Sequence, residues 1–208
     1  MTIRTSRRRI AKPPADRRRD ILDAAVRVFS HKGIPHTTVA DITEAAGVAK
    51  GTFYLYFDSR DHLLAALRER FMDDMMAHAT PFIERIGKGD WWSLAEETVE
   101  SIIDFTLQHG QDIVAFMQEQ PTPETRLMLA ECERKPIEYL ALGIQAGIDA
   151  GHFEVEDPWM TASFIFHALE GTAMARMLYD DELDRDRIVT AAKALFLKLL
   201  RPQAELDD

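Results

Sequence analysis

A glycine set between two short helical patterns constrains this chain more than any other feature. In the stretch TTVADITEAAGVAKGTFYLYF, residues 37–57, Val39, Ile42, Ala45 and Ala46 recur at three-to-four-residue spacing and line one face of a helix. Thr38 stands where a side-chain oxygen can accept from the first free N–H groups of that helix. Asp41 follows it at the spacing of a capping box, with Asp in place of the usual Glu. Gly47 supplies the left-handed conformation that ends a helix and turns the chain sharply. A second short helix begins near Ala49 and carries Lys50, Gly51, Thr52, Tyr54 and then Tyr56. Two helices joined by so tight a turn form a helix-turn-helix, whose second helix can lie in a DNA major groove.

The chemistry of the second helix suits that placement. Lys50 can pair with a phosphate, and the backbone N–H groups beside Gly51 can approach a phosphate oxygen. Thr52, Tyr54 and Tyr56 are hydroxyl donors. The alternative from these residues alone is a structural helical hairpin with an incidental lysine.

A net charge of −10 looks wrong for a nucleic-acid binder until its distribution is read. Residues 1–60 hold 12 Lys+Arg against 6 Asp+Glu, a net +6, while residues 61–208 hold 13 against 29, a net −16. A basic head on an acidic body directs one end toward phosphate and repels DNA from the other. Cys132 is the single cysteine, so no intramolecular disulfide and no cysteine metal site is expected. No apolar run has the length to cross a bilayer and no secretory signal is evident, so the expected location is cytoplasmic.

The expected fold is all-α with about nine helices. Residues 1–15, with Arg7, Arg8 and Arg9 ahead of Pro13-Pro14, read as a disordered basic arm. Such an arm either settles into a minor groove or merely raises local positive charge. Residues 16–60 read as the DNA-binding domain. Its first helix, from about Asp16 to His31, buries Ile21, Leu22, Ala25, Val28 and Phe29, and Arg17 near its start is a further candidate for phosphate. Residues 61–208 read as a helical ligand-binding and dimerisation domain. Its helices are predicted from Asp58-Ser59 to about His78, from Trp91 to His109, briefly around Ile113 to Met117, and from Pro123 to Ala150 with a bend or interruption at Pro136. Two more follow, from Pro158 to about Tyr179 and from Asp184 to Leu200.

The run GIPHTTVADITEAAGVAKGTFYLYF, residues 33–57, continuing through Arg60 to Leu63 and Leu64, closely resembles the DNA-binding domain of the tetracycline-repressor (TetR/AcrR) family. The resemblance spans about Arg17 to Leu67, and beyond it only the helical layout matches. It implies that Thr38, Lys50, Gly51, Tyr54, Tyr56 and Arg60 sit at positions that touch the DNA backbone. Thr43 stands where alanine is usual, Tyr56 where histidine is common and Arg60 where lysine is common. The resemblance also implies a small-molecule pocket in the body, for which the candidates by position are Phe71, Met75, Trp92, Phe105, Phe116, Met117, Met128, Tyr139, Phe164 and His167. It implies a homodimer built on the last two helices, where Ala168, Gly171, Thr172, Ala175, Leu195, Phe196 and Leu199 supply surplus apolar surface. Two recognition helices ~34–36 Å apart then meet successive major-groove faces.

The expected function is therefore a regulator, most naturally a repressor, released from a palindromic double-stranded operator by a small apolar or amphipathic effector, with no cofactor, metal or membrane partner. One alternative is a DNA-binding regulator without a small-molecule effector. Another is a helical Mg²⁺-dependent enzyme, because Asp180, Asp181 and Asp184 spell DDxxD. That run lies between helices and lacks a second carboxylate cluster, and no other catalytic motif is present.

Overall fold

Capping residues mark where nearly every helix begins. In the computed structural model, which describes residues 13–83, 85, 90–110, 122–179 and 184–200, there are eight helices and no strand among the described residues. They are α1 (Pro14–Lys32), α2 (Val39–Ala46), α3 (Lys50–Tyr54), α4 (Arg60–Ile83), α5 (Trp91–His109), α6 (Pro123–Asp149), α7 (Pro158–Tyr179) and α8 (Arg185–Leu200). The short helix expected around Ile113 to Met117, which would make nine, lies outside the described residues.

The chain divides into two compact units between Leu63 and Leu64, just inside α4. In the first, α1 packs on α2 and α2 on α3. Helix α1 starts at Pro14 rather than Asp16, because a proline at the first helical position gives up an N–H that has no partner there in any case. It buries Ile21, Leu22, Ala24, Ala25 and Phe29, with Ile34, Ile42, Phe53, Phe57 and Leu63 buried in the same unit.

In the second unit Asp90, Thr122, Asp157 and Asp184 each accept a backbone N–H from the first turn of α5, α6, α7 and α8 respectively. The hydrogen bonds from Ser93 hold the Asp90 carboxyl below the usual carboxylate range. Helix α6 passes through Pro136 without the expected interruption. The missing N–H forfeits a single helical hydrogen bond, and the ring is buried with its neighbour Ile137, so packing holds the helix together. Helix α6 lies against α7, and α5 lies against both α7 and α8. Their shared core includes Met72, Met75, Ile103, Ile137, Phe166 and Phe196.

A buried arginine sits among these helices. Arg68 of α4 donates to Glu170 of α7 and, at 3.4 Å, to Glu133 of α6, and its other terminal nitrogen, Nη1, has no partner among the described residues.

Candidate nucleic-acid interface and body cleft

The turn that presents α3 is built from local hydrogen bonds. Thr38 accepts from the Asp41 N–H at 3.3 Å, while the Asp41 carboxylate accepts from the Thr38 N–H and hydroxyl, each at 2.7 Å. The reciprocal capping box is complete. Lys32, at the end of α1, donates to the same carboxylate at 2.7 Å and fixes α1 against the start of α2. Its ammonium first, and the Thr38 groups next, hold the Asp41 carboxyl far below the usual range. Gly47 ends α2 with φ 63° and ψ 35°, and the Val48 N–H returns to the Thr43 carbonyl at 3.0 Å. Thr43, where the resembled family favours alanine, is buried and satisfies its hydroxyl on the Ala40 carbonyl.

Helix α3 has five residues, too few to be stable alone. What holds it is Phe53, fully buried, whose ring lies 5.5 Å from Phe57. Burial of a phenylalanine contributes roughly 1.5–3 kcal/mol. The Arg18 guanidinium covers the Phe57 ring at 5.5 Å. With Phe53 turned inward, Lys50, Gly51 and Tyr54 are exposed and Thr52 is half-buried. The N-cap residue Ala49 offers no side-chain cap.

Gly51 is informative by what does not surround it. A Cβ there would meet no described residue within 4 Å, and the backbone is ordinary right-handed helix. Glycine in a helix is destabilising by about 1 kcal/mol relative to alanine. Neither the conformation nor the packing of this protein explains it, whereas close approach of an outside backbone does.

Two expected contacts are placed differently. Tyr56 falls beyond α3, which ends at Tyr54, because the Leu55 and Tyr56 N–H groups bond back to Thr52 and Phe53 in a tightened final turn. Arg60 donates to the Ile34 and Thr37 carbonyls at 2.9 and 3.4 Å, so it clamps the start of α4 to the turn ahead of α2. Arg17 is half-buried and pairs with Asp20 at 3.5 Å, and Arg7, Arg8 and Arg9 lie outside the described residues. Leu55, 80% exposed beside Tyr54, belongs to the same surface. Sequence periodicity missed it because an apolar residue after a helix reads as core.

The body contains an open apolar cleft of about 90 Å³ between α5, α6, α7 and α8. Of the candidate pocket residues among those described, only Tyr139 lines it. Met75 and Phe105 are core, and Phe71 packs on Phe105 at 5.1 Å. Trp92 lies 5.1 Å from Phe153, which does line the cleft. Met128, Phe164 and His167 are exposed, because they fall on the outer faces of α6 and α7, and Phe116 and Met117 lie outside the described residues.

The expected dimer residues resolve by helical phase. Ala168, Gly171 and Thr172 on α7 and Leu195 and Leu199 on α8 are exposed, with Ala175 half-buried. Phe164, 66% exposed, continues the α7 stripe. Phe196 does not join it. One residue step turns it inward with Ala192 and Leu200, where it is 3% exposed and lines the cleft.

Asp184 of the DDxxD run caps α8 through the Arg187 N–H at 2.7 Å, and Asp180 and Asp181 lie outside the described residues. Among the described residues no group of three or more His, Cys, Asp or Glu is placed to hold a metal, and no helix is long and apolar enough to cross a membrane.

Comparison with known proteins agrees with this geometry. Residues 21–67 match the family described as bacterial regulatory proteins, tetR family. The chain is 28% identical to the uncharacterized HTH-type transcriptional regulator YfiR of Bacillus subtilis over 201 residues, covering 91% of this chain and 95% of that one. It is 33% identical to the regulator YvdT of the same organism over 94 residues, 45% of this chain and 47% of that one. In fold it is similar to FadR of Bacillus subtilis, solved in complex with stearoyl-CoA, with a TM-score of 0.70 at 22% identity, covering 88% of this chain and 99% of that one.

Proposed function

From the match of residues 21–67 to bacterial regulatory proteins of the tetR family, and the likeness of nearly the whole chain to an HTH-type transcriptional regulator, we propose that this is a TetR-family regulator, a repressor that works as a cytoplasmic homodimer. Each α3 enters a major groove of a palindromic operator, with Lys50, Gly51 and Tyr54 against the phosphates. Thr38 and Thr52 stand beside them. A small apolar or amphipathic effector enters the body and favours a conformation in which the two heads are wrongly spaced for successive grooves. Coupling of this kind is on the scale of ~1–3 kcal/mol.

The observation that carries the reading is the exposed Lys50-Gly51-Tyr54 surface, whose glycine has no use inside the protein. The cleft supports an effector over a regulator that lacks one. The test is gel shift on an operator selected from random duplexes. Lys50→Ala and Tyr54→Phe should weaken binding at all sequences alike, and the lysine change should reduce the salt slope by about 1. An unchanged affinity and slope for Lys50→Ala would remove α3 from the interface.

A further inference from the structure

Resting on that effector reading, we propose that the body cleft selects an apolar molecule bearing a positively charged head group, with Glu96 at its mouth as the counter-ion, and disfavours ligands that end in a carboxylate or phosphate. The walls supply the first half of the argument. Trp91, Leu94, Val99, Ile144, Phe153 and Phe196 present almost nothing polar, so the cleft favours an apolar body. The charged residues among its lining are Glu96 and Lys193.

The second half is what those two groups already do. Lys193 donates to Glu100 at 2.7 Å, and Glu96 lies 3.8 Å from the same ammonium. Arg185 donates to Glu100 at 2.6 Å, to Asp104 at 2.6 and 2.7 Å, and to Asp186 at 2.9 Å. Lys193 first, then Arg185, hold the Glu100 carboxyl below the usual range, so it stays ionised. Glu96, Glu100 and Asp104 follow one another at four-residue spacing along α5, and with Asp186 they set four carboxylates against two cations.

The lysine that an anionic head group needs is thus committed to Glu100. To reach it, a carboxylate must break that pair while facing Glu96. A cation meets the opposite situation, because Glu96 is the least engaged carboxylate of the set, its side chain 41% exposed at the cleft mouth. The relative solved with stearoyl-CoA shares the fold at 22% identity, and the charge at this mouth opposes so anionic a head group here.

Three probes with one tail test this on the full-length protein: decyltrimethylammonium, decanol and decanoate, each below its micellar concentration. Binding is read by calorimetry and by fluorescence of the tryptophans at the cleft. The ammonium should bind about tenfold tighter than decanoate, with decanol between them, and Glu96→Gln should reduce the ammonium's advantage about threefold. Leu197→Trp, which narrows the cleft, should weaken all three. Equal or tighter binding of decanoate, no binding of any probe, or indifference to either variant overturns the proposal. Gel shift on the selected operator separates it from the reading beneath it. Cation-selective binding that leaves a DNA complex intact, or that occurs in a protein unable to bind DNA, counts against the effector-released regulator and leaves the charge preference standing. Release of DNA by decanoate in preference to the ammonium counts against the charge preference alone.

Discussion

Gly51 and Asp41 illustrate opposite uses of a residue. No described residue requires glycine at 51, so Gly51→Ala should stabilise the fold by roughly 0.5–1 kcal/mol in chemical denaturation. In the proposed complex the same methyl group would stand between α3 and a phosphate, and gel shift should show weaker binding to every sequence. Asp41 is internal in purpose although close to solvent. Its carboxyl titrates below the unfolded value of 3.8, so its contribution is complete above about pH 4 and is lost as the pH falls below that. The stability gap between the wild type and Asp41→Asn should therefore be full at pH 7 and close on acidification, as read from denaturation midpoints. A gap independent of pH would mean that the lost hydrogen-bond geometry, not the charge, is what matters.

The described helices were legible from local signals, whereas features set by distant partners were not. Thr38, Asp41 and Gly47 act within one turn of their own positions, so spacing alone located α2 and its end. Pro136 left a bend or an interruption open from sequence, and of the two the interruption is ruled out, since α6 runs through it. Phe196 shows a subtler limit. The apolar period of α8 was readable, but which side of the stripe faces the body depends on α5 and α7, and one step separates exposed Leu195 from buried Phe196. The cleft was unreadable for the same reason, since its walls come from four helices that only the tertiary fold brings together. Arg68 was overlooked because a lone arginine in an amphipathic helix reads as surface, yet it ties α4 to α6 and α7. Removing its Glu170 partner leaves a buried charge with less compensation. Glu170→Ala should therefore cost about 3 kcal/mol, while Arg68→Met combined with Glu170→Leu should recover much of that in thermal denaturation.

For the whole molecule, the open face of α7 and α8 is the feature in want of a partner. Phe164, Leu195 and Leu199 are large exposed apolar groups, and a Cβ at Gly171 would meet no described atom within 4 Å. In the proposed homodimer, a second copy of this face would cover them. Leu195→Glu with Leu199→Glu should convert the proposed dimer to monomers in sedimentation or light scattering and abolish operator binding with α3 unaltered. The charge asymmetry belongs to this scale as well. Residues 1–60 carry net +6 and those beyond them −16, so in the proposed pair the basic domain of each copy is the part suited to duplex DNA.

The empty space around Gly51 also separates two properties that usually fail together. In the proposed dimer an alanine there would leave a sturdy subunit that still recognises its mate but grips the operator poorly. In the proposed pair, a cell making both versions would assemble mixed couples with one sighted head, each holding a duplex by half its normal grip, and the altered copy would silence the native one without any loss of folded protein.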